Sequence, residues 1–181
     1  GTNWLDYSNV NQGSIPEEDR GITVNLLEGL IQGLTGTLTA VNNIIGTIYN
    51  DALIGNPADN ILCGLAGNDT IKGIGGNNTI SGGAGDDHLY GGSGTDTFLL
   101  ASGWGKDTLY DYVNPQGLVD GKGSYTLDFS DLASSLTITL DQTNLVGNIL
   151  HTLEIIDAAD PGNINKLNYS SSFPGILKAI H

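Results

Sequence analysis

Six acidic or amide side chains recur every nine residues through the middle of the chain. They are Asp51, Asn60, Asp69, Asn78, Asp87 and Asp96. Carboxylate and amide oxygens are hard ligands that suit Ca²⁺, which takes roughly six to eight oxygen atoms and accepts backbone carbonyls among them. The spacing therefore predicts a series of calcium sites, provided that the fold brings successive members of the series together.

Each of these side chains is the sixth residue of a nine-residue block that begins with glycine. From Gly46 to Leu99 the blocks read GTIYNDALI, GNPADNILC, GLAGNDTIK, GIGGNNTIS, GGAGDDHLY and GGSGTDTFL. The first six residues of a block are turn formers, and the last three predict a short strand. The middle residue of that strand is always large and apolar: Leu53, Leu62, Ile71, Ile80, Leu89 and Phe98.

A strand every nine residues predicts a flattened coil with two strands per turn, so that loops eighteen residues apart stack about 4.8 Å from each other. A cation between stacked loops would meet carboxylates and backbone carbonyls. One apolar side chain per block contributes only about 1.5–3 kcal/mol. Ordering each residue costs about 1–2 kcal/mol, so calcium binding is predicted to be coupled to folding. The alternative is an acidic linker that never folds, and the constant apolar position argues against it.

The series, and GGAGDDHLY most closely, resembles the calcium-binding nonapeptide repeat of RTX proteins, G-G-x-G-x-D-x-U-x. The resemblance implies an all-β fold: a right-handed parallel β-roll or β-helix solenoid with wider flanking β coils. It implies a calcium-binding structural module of a larger secreted bacterial protein, exported by type I secretion and folding on calcium outside the cell. The implied ligands of several Ca²⁺ ions are Asp51, Gly64, Ala66, Asp69, Gly73, Gly75, Asn78, Gly82, Gly83, Gly85, Asp87, Gly91, Gly92, Gly94 and Asp96.

Charge predicts that the sites are unequal, because successive blocks place their sixth residues on opposite edges of the coil. On one edge the strongest site is expected between Asp69 and Asp87, and the next between Asp51 and Asp69. On the other edge a weaker site is expected between Asn78 and Asp96. The pair formed by Asn60 and Asn78 has no sixth-position carboxylate and is expected to stay empty, unless the neighbouring Asp59 turns inward.

Three segments are expected to form one continuous solenoid domain: flanking coils over 1–45, the nonapeptide region over 46–100, and capping coils over 101–181. A longer repeat supports the flanking coils, since the pattern Leu-Asp/Asn-aromatic-Ser precedes an apolar strand candidate three times. Its occurrences begin at Leu5, Leu127 and Leu167.

Two short segments leave alternatives open. Residues 102–110 form a degenerate block displaced by two residues, and Asp107 in it is a candidate partner for Asp87. Asp160-Pro161 is predicted to be a turn. Some RTX proteins cleave themselves at such a pair when calcium binds, which is the alternative for this one.

The remaining composition excludes several classes of function. A formal charge of −14 argues against binding of nucleic acid or anionic membranes, and no apolar run is long enough to span a membrane. No catalytic motif is present, so an enzyme is not expected. Gly at position 1 and the absence of Met predict a piece of a larger parent chain.

A second hypothesis is a polysaccharide-binding module, as found attached to alginate epimerases. Such a module would need an exposed aromatic or basic track. The candidates are Trp4, Tyr90, Trp104, Tyr110 and Tyr112.

Overall fold

The chain folds into β-strands joined by turns and loops. The computed structural model describes residues 3–9, 20–32, 38, 40–101, 103–110, 123–130, 136–145, 148–157, 164–170 and 178–180. Over these residues it contains no helix, which confirms the all-β class. Accordingly, none of the described segments is a helix that could cross a membrane.

The described residues contain sixteen strands, most of them three to six residues long. In chain order they are β1 (Trp4–Asp6), β2 (Thr23–Asn25), β3 (Leu30–Ile31), β4 (Asn43–Ile45), β5 (Ala52–Ile54), β6 (Ile61–Ala66), β7 (Thr70–Lys72), β8 (Thr79–Ala84), β9 (His88–Tyr90), β10 (Gly94–Leu99), β11 (Thr108–Tyr110), β12 (Gly123–Asp128), β13 (Leu136–Leu145), β14 (Asn148–Asp157), β15 (Ile164–Ser170) and β16 (Lys178–Ile180).

Two sheets share these strands. The first sheet has the order β1-β4-β6-β8-β10-β12-β16, and the second has the order β13-β14-β15-β11-β9-β7-β5-β2-β3. Between β4 and β11 the chain alternates strictly between them. Each strand therefore lies beside the strand two blocks further along the chain.

The register of this pairing is parallel and repeats every eighteen residues. Leu53 pairs with Ile71, and Ile71 pairs with Leu89 in the second sheet. Leu62 pairs with Ile80 in the first sheet. Residues at the eighth position of each block thus form continuous rows, as the nine-residue period predicted.

The apolar core runs between the two sheets. All six eighth-position residues are fully buried, and larger side chains join them after Phe98: Leu100, Trp104, Leu109, Tyr125, Leu127 and Phe129. Along each repeat strand only the middle residue enters this core, because successive side chains alternate between the two faces of a sheet. The core of the repeat region is therefore about one side chain wide.

The flanking segments agree in part with the expected wider coils. β1 pairs in parallel with β4, and β12 pairs in parallel with β10, with Phe98 opposite Leu127. The pattern beginning at Leu5 and Leu127 has a local structural meaning. In both copies the Asp side chain accepts a hydrogen bond from the backbone N–H of the Ser two residues later, which turns the chain at the end of the strand: Asp6 with Ser8 and Asp128 with Ser130.

The region after residue 130 differs from the expected wider parallel coils. β13 pairs antiparallel with β14, and β14 pairs antiparallel with β15. The pairs that join this region to earlier strands, β11 with β15 and β12 with β16, are parallel. The connection from β13 to β14 is two residues long, which suffices for an antiparallel hairpin but not for a parallel crossover. Asp160-Pro161 lies outside the described residues.

Candidate metal centre

The sixth-position side chains line two opposite edges of the repeat region. The first edge contains the loops that lead from the first sheet to the second: 46–51, 64–69, 82–87 and 100–107. The second edge contains the loops that return: 55–60, 73–78 and 91–96. The sixth-position residues are at most 4% exposed on both edges. Each edge therefore contains a row of buried polar side chains.

On the first edge, one carboxylate oxygen of each Asp accepts a backbone hydrogen bond from the loop before it. Asp69 Oδ1 accepts the N–H of Asp51 at 2.8 Å, and Asp87 Oδ1 accepts the N–H of Asp69 at 2.8 Å. Asp107 Oδ1 continues this row of hydrogen bonds by accepting the N–H of Asp87 at 3.1 Å. The displaced block thus returns to register at β11, where Thr108 pairs with His88. Asp107 was only an uncertain candidate from sequence, because two extra residues precede its block.

The other carboxylate oxygen is buried without a protein donor. Asp69 Oδ2 and Asp87 Oδ2 have no hydrogen-bond partner among the residues that the structure describes. A Cβ added at Gly64 would lie 2.0 Å from Asp69 Oδ2 and 2.5 Å from the carbonyl oxygen of Gly82. A carboxylate oxygen and a carbonyl oxygen therefore converge beside one glycine. Two acceptor oxygens this close together in a buried place are unfavourable unless a cation lies near both.

The first glycine of the block is required for this arrangement. At Gly82 an added Cβ would lie 1.9 Å from Asp87 Oδ2, and the same close approach occurs at Gly64. The carboxylate folds back over its own loop, into the space that a side chain would fill. The opening glycine and the sixth-position acid of each block therefore form one structural unit.

Burial makes the charged state of these carboxylates costly in the absence of a cation. It raises the pKa of Asp69 and of Asp107 to about 8, with the neighbouring carboxylates adding to the effect. It raises the pKa of Asp87 and of Asp96 to about 6. Desolvation penalises the ionised form, and a bound divalent cation would reverse that penalty.

The described residues contain no group of three or more His, Cys, Asp or Glu side chains placed to hold a metal ion. The oxygens that converge beside Gly64 are instead one carboxylate and one backbone carbonyl. This donor set contains only hard oxygen atoms, which suit Ca²⁺ and not Zn²⁺ or a redox metal. The geometry of the first edge thus fits calcium.

The sequence profile of the RTX calcium-binding nonapeptide repeat matches residues 39–71 and 72–109, with four copies detected. The chain carries RTX calcium-binding nonapeptide repeats. The match includes the displaced block and its Asp107. A search of curated proteins finds no match to the chain.

The RTX repeats make this chain a calcium-binding module of the RTX type. The family is typically structural and not catalytic, and its members are typically secreted. The fifteen predicted ligand residues divide between the two edges. On the first edge lie Asp51, Gly64, Ala66, Asp69, Gly82, Gly83, Gly85 and Asp87, and on the second lie Gly73, Gly75, Asn78, Gly91, Gly92, Gly94 and Asp96.

Asp51 differs from the RTX aspartates that follow it on the first edge. Its Oδ2 accepts the N–H of Thr47 at 2.6 Å, and its Oδ1 accepts the Thr47 hydroxyl and the N–H of Ile22. Burial still raises the pKa of Asp51, although these hydrogen bonds oppose the rise. Both oxygens already have protein donors, so Asp51 has less need of a cation than Asp69.

The second edge repeats the backbone pattern with different side chains. Asn78 Oδ1 accepts the N–H of Asn60 at 3.0 Å, and Asp96 Oδ1 accepts the N–H of Asn78 at 2.9 Å. Asn60 Oδ1 in turn accepts the N–H of Asn56 at 2.8 Å. Asp96 Oδ2 is the second-edge atom that remains buried without a described partner.

A further row of hydrogen bonds, not predicted from the sequence, runs along the outside of both edges. Side chains at the fifth position of a block accept the N–H of the fifth residue eighteen to twenty positions later, at 2.7–2.9 Å. A signal was present, since five of the six blocks have Asn or Asp there: Asn50, Asp59, Asn68, Asn77 and Asp86. These contacts join stacked loops without a metal.

The aromatic residues considered for sugar binding differ in exposure among the described residues, and Tyr90 and Tyr110 are both partly exposed. Trp104 is 2% exposed and packs edge-on against Phe129 in the core. Tyr90 and Tyr110 stack on each other with ring centres 4.4 Å apart, so each ring covers a face of the other. Trp4 is 43% exposed but lies at the start of the first sheet. Tyr112 lies outside the described residues.

Proposed function

We propose that the chain is a calcium-dependent structural module of a secreted RTX protein, which folds when it meets calcium outside the cell. The buried, unpartnered oxygens of Asp69 and Asp87 carry the proposal. At neutral pH these two atoms make the ion-free fold unfavourable, and Ca²⁺ provides the partner that the described protein groups do not supply. Because the ligands converge only in the folded state, the binding free energy of the ion is available for folding.

The strongest calcium site in this proposal lies between loops 64–69 and 82–87. Asp69 supplies a charged oxygen there, and the Gly82 carbonyl lies beside the same residue, Gly64. Asp87 belongs to the second of these loops and accepts the N–H of Asp69. A further site lies between Asp87 and Asp107, whose loops stack in the same register. Asp51 contributes less, because Thr47 and Ile22 already donate to it.

The wider proposal concerns the whole module. The repeats form a right-handed parallel β-roll, which β1 and β12 extend by parallel pairing, and the antiparallel strands β13 to β15 extend its second sheet. The module belongs to a larger parent chain exported by type I secretion, staying unfolded at low cytosolic calcium. Parallel pairing every eighteen residues and the thin core support this arrangement.

Far-ultraviolet circular dichroism in EDTA and in millimolar calcium tests the proposal. We expect a disordered spectrum in EDTA and a β spectrum in calcium, with affinity in the range of about 10⁻⁴–10⁻³ M typical of extracellular modules. Magnesium at equal concentration is the control, and it should restore little, since it requires a small octahedral site and loses its water reluctantly. A full β spectrum in EDTA, or equal recovery with magnesium, would contradict the proposal.

A further inference from the structure

The side-chain amide nitrogen of Asn78 has three acceptors within hydrogen-bond distance inside the second edge, so one of its two N–H groups is shared between two acceptors. Its Nδ2 donates to Asp96 Oδ1 at 2.8 Å, to the carbonyl of Gly91 at 3.2 Å and to the carbonyl of Gly75 at 3.3 Å. All three acceptors are buried with Asn78, which is 1% exposed. One nitrogen atom thus joins a carboxylate and two backbone carbonyls from two stacked loops.

The orientation of this amide is fixed by its other end. Asn78 Oδ1 accepts the backbone N–H of Asn60, which can only donate. Exchanging the oxygen and nitrogen would place an NH₂ group against that N–H and an oxygen against three acceptors. The nitrogen must therefore face Gly75, Gly91 and Asp96.

This nitrogen occupies the place that an unpartnered oxygen occupies on the first edge. A Cβ added at Gly73 would lie 2.2 Å from the Gly91 carbonyl oxygen and 2.5 Å from Asn78 Nδ2. At Gly64, the equivalent glycine of the first edge, the two nearest atoms are Asp69 Oδ2 and the Gly82 carbonyl oxygen. The two places match in geometry and differ in polarity: acceptor meets acceptor on one edge, and donor meets acceptor on the other.

We infer that the Asn78 amide takes over the role of a calcium ion on the second edge, so that the loops 73–78 and 91–96 stack without an ion. The inference rests on the proposed function, because it compares this pair of loops with loops of the first edge that calcium is proposed to join. It replaces the expectation of a weaker calcium site between Asn78 and Asp96. An ion there would have to displace three hydrogen bonds and would meet the positive side of the amide dipole.

The neighbouring positions of the second edge are also occupied by side chains. On one side, Asn60 Nδ2 donates to Asn56 Oδ1 at 3.1 Å. On the other, the ring of Tyr125 packs over the loop of Asp96, where a Cβ added at Gly91 would lie 2.6 Å from Tyr125 Cε1. The Tyr125 hydroxyl lies 3.4 Å from the carbonyl oxygen of Gly92. Protein groups thus border the Asn78 amide on both sides, while Asp96 Oδ2 stays buried beside Gly91 without a described partner.

A crystal structure of the full chain grown in calcium, with anomalous scattering to locate the ions, tests the inference together with calorimetric counting of bound calcium. We expect ions on the first edge and none within coordinating distance of Asn78. Asn78→Asp should bind one calcium more than the wild type, located between residue 78 and Asp96. Asn77→Asp is the matched control: it makes the same charge change at the exposed neighbour, keeps the acceptor for the N–H of Thr95, and should not change the count.

Each outcome decides between the two proposals. An ion beside Asn78 in the wild type, or no additional ion in Asn78→Asp, would overturn the inference while calcium on the first edge still supported the proposed function. No ion on either edge of the wild type would refute the proposed function. The inference would then be judged by whether Asn78→Asp alone gains an ion. If Asn78→Asp does not fold, the position of ions in the wild type decides.

Discussion

The two edges of the repeat region have the same backbone hydrogen bonds. They differ in that the loops at Asp69 require a cation, whereas the loops at Asn78 do not. On both, a sixth-position side-chain oxygen accepts an N–H from the preceding loop of the same edge. The atom at the other branch of that side chain differs. It is a carboxylate oxygen without a described donor in Asp69 and an amide nitrogen with three acceptors in Asn78.

This comparison teaches that Asp and Asn are not simply a stronger and a weaker ligand at this position. The two side chains have nearly the same shape, so either fits the loop. Asp69 leaves a buried acceptor that requires a cation, whereas Asn78 supplies a donor that removes the requirement. Asn60 is oriented the other way, with its oxygen beside the same glycine as the Gly73 carbonyl oxygen. The change from Asp69 to Asn78 therefore separates a pair of stacked loops that requires a cation from a pair that does not.

The largest difference between the edges is expected from alanine substitutions at Asp69 and Asn60. Asp69→Ala removes the charged ligand and leaves the buried N–H of Asp51 without its acceptor. In saturating calcium it should lower the free energy of unfolding by at least about 3 kcal/mol, since a charged hydrogen bond and an ion are lost together. Asn60→Ala loses only its contacts with Asn56 and should cost about 1 kcal/mol. Equal losses in urea titrations of the two variants would remove the distinction between the edges.

A smaller effect is expected when the space for the carboxylate is filled. In Gly82→Ala the new methyl group would lie 1.9 Å from Asp87 Oδ2, so the carboxylate must move from its place. Calcium affinity should fall at least about tenfold, a change of about 1.4 kcal/mol. The second-edge control is Gly75→Ala, where the nearest atom to the new methyl group is Ser93 Oγ at 3.3 Å. It should keep its calcium affinity, as measured by calorimetry, and a tenfold loss in the control would contradict the account.

The pH dependence of stability should distinguish the ion-free protein from the calcium-bound one. Without calcium, the pKa of Asp69 is about 8 and that of Asp87 about 6, both above the ordinary value for unfolded Asp. The folded state then binds more protons than the unfolded state, so stability is lost as pH rises through 6 to 8 and regained as pH falls towards 4. The β signal in EDTA should therefore increase from pH 8 to pH 5.

In the presence of calcium, stability should instead rise with pH, because the ion must displace the protons bound to Asp69 and Asp87. Calcium affinity should fall as the pH is lowered from 8 to 6, and binding should release protons. Calorimetry in two buffers of different ionisation enthalpy measures that release. Loss of the ion-free β signal on acidification, or binding without proton release at pH 7, would contradict the assignment of raised pKa values.

The smallest effect concerns a strain that both edges share. Leu65 and Ile74 have positive φ angles of 86° and 78° at the second position of their blocks, where Gly83 and Gly92 have 106° and 109°. A left-handed conformation costs about 1–2 kcal/mol in a residue with a side chain. Replacement by glycine removes this cost, but part of the benefit is lost because glycine has more conformational freedom in the unfolded state. Ile74→Gly should therefore stabilise the protein by roughly 0.5–1 kcal/mol. Ile74→Ala keeps the strain, so the explanation fails if the two variants are equally stable.

The periodic part of the fold could be predicted from the sequence because each signal is local. The nine-residue spacing of Leu53, Leu62 and Ile71 predicted the two sheets, the eighteen-residue register and the core. The same spacing predicted which loops stack. The predicted ligand residues could therefore be assigned to their edges from their positions alone.

The differences between individual sites could not be predicted by counting charges. Thr47 donates to Asp51, and Asn78 donates to three acceptors, yet both facts depend on how a side chain is oriented inside the stacked loops. Asp107 was uncertain because the loop 100–107 accommodates two extra residues before β11. The antiparallel pairing of β13 with β14 and of β14 with β15 lies in a region without the nine-residue pattern, where short connections join consecutive strands as hairpins.

The most direct test of the central claim is the free energy of unfolding of the wild type measured as a function of calcium concentration. If ions complete the first edge, stability rises with the logarithm of calcium concentration once the sites begin to fill, and the slope counts the ions bound on folding. We expect a slope of about two ions, corresponding to the unpartnered first-edge oxygens of Asp69 and Asp87, and none at Asp96 Oδ2, where the Tyr125 ring lies beside the same glycine. Asp69→Asn should lower that slope, because its amide can donate to the Gly82 carbonyl as Asn78 donates to Gly91. A free energy of unfolding that is the same in EDTA and in millimolar calcium would contradict the claim.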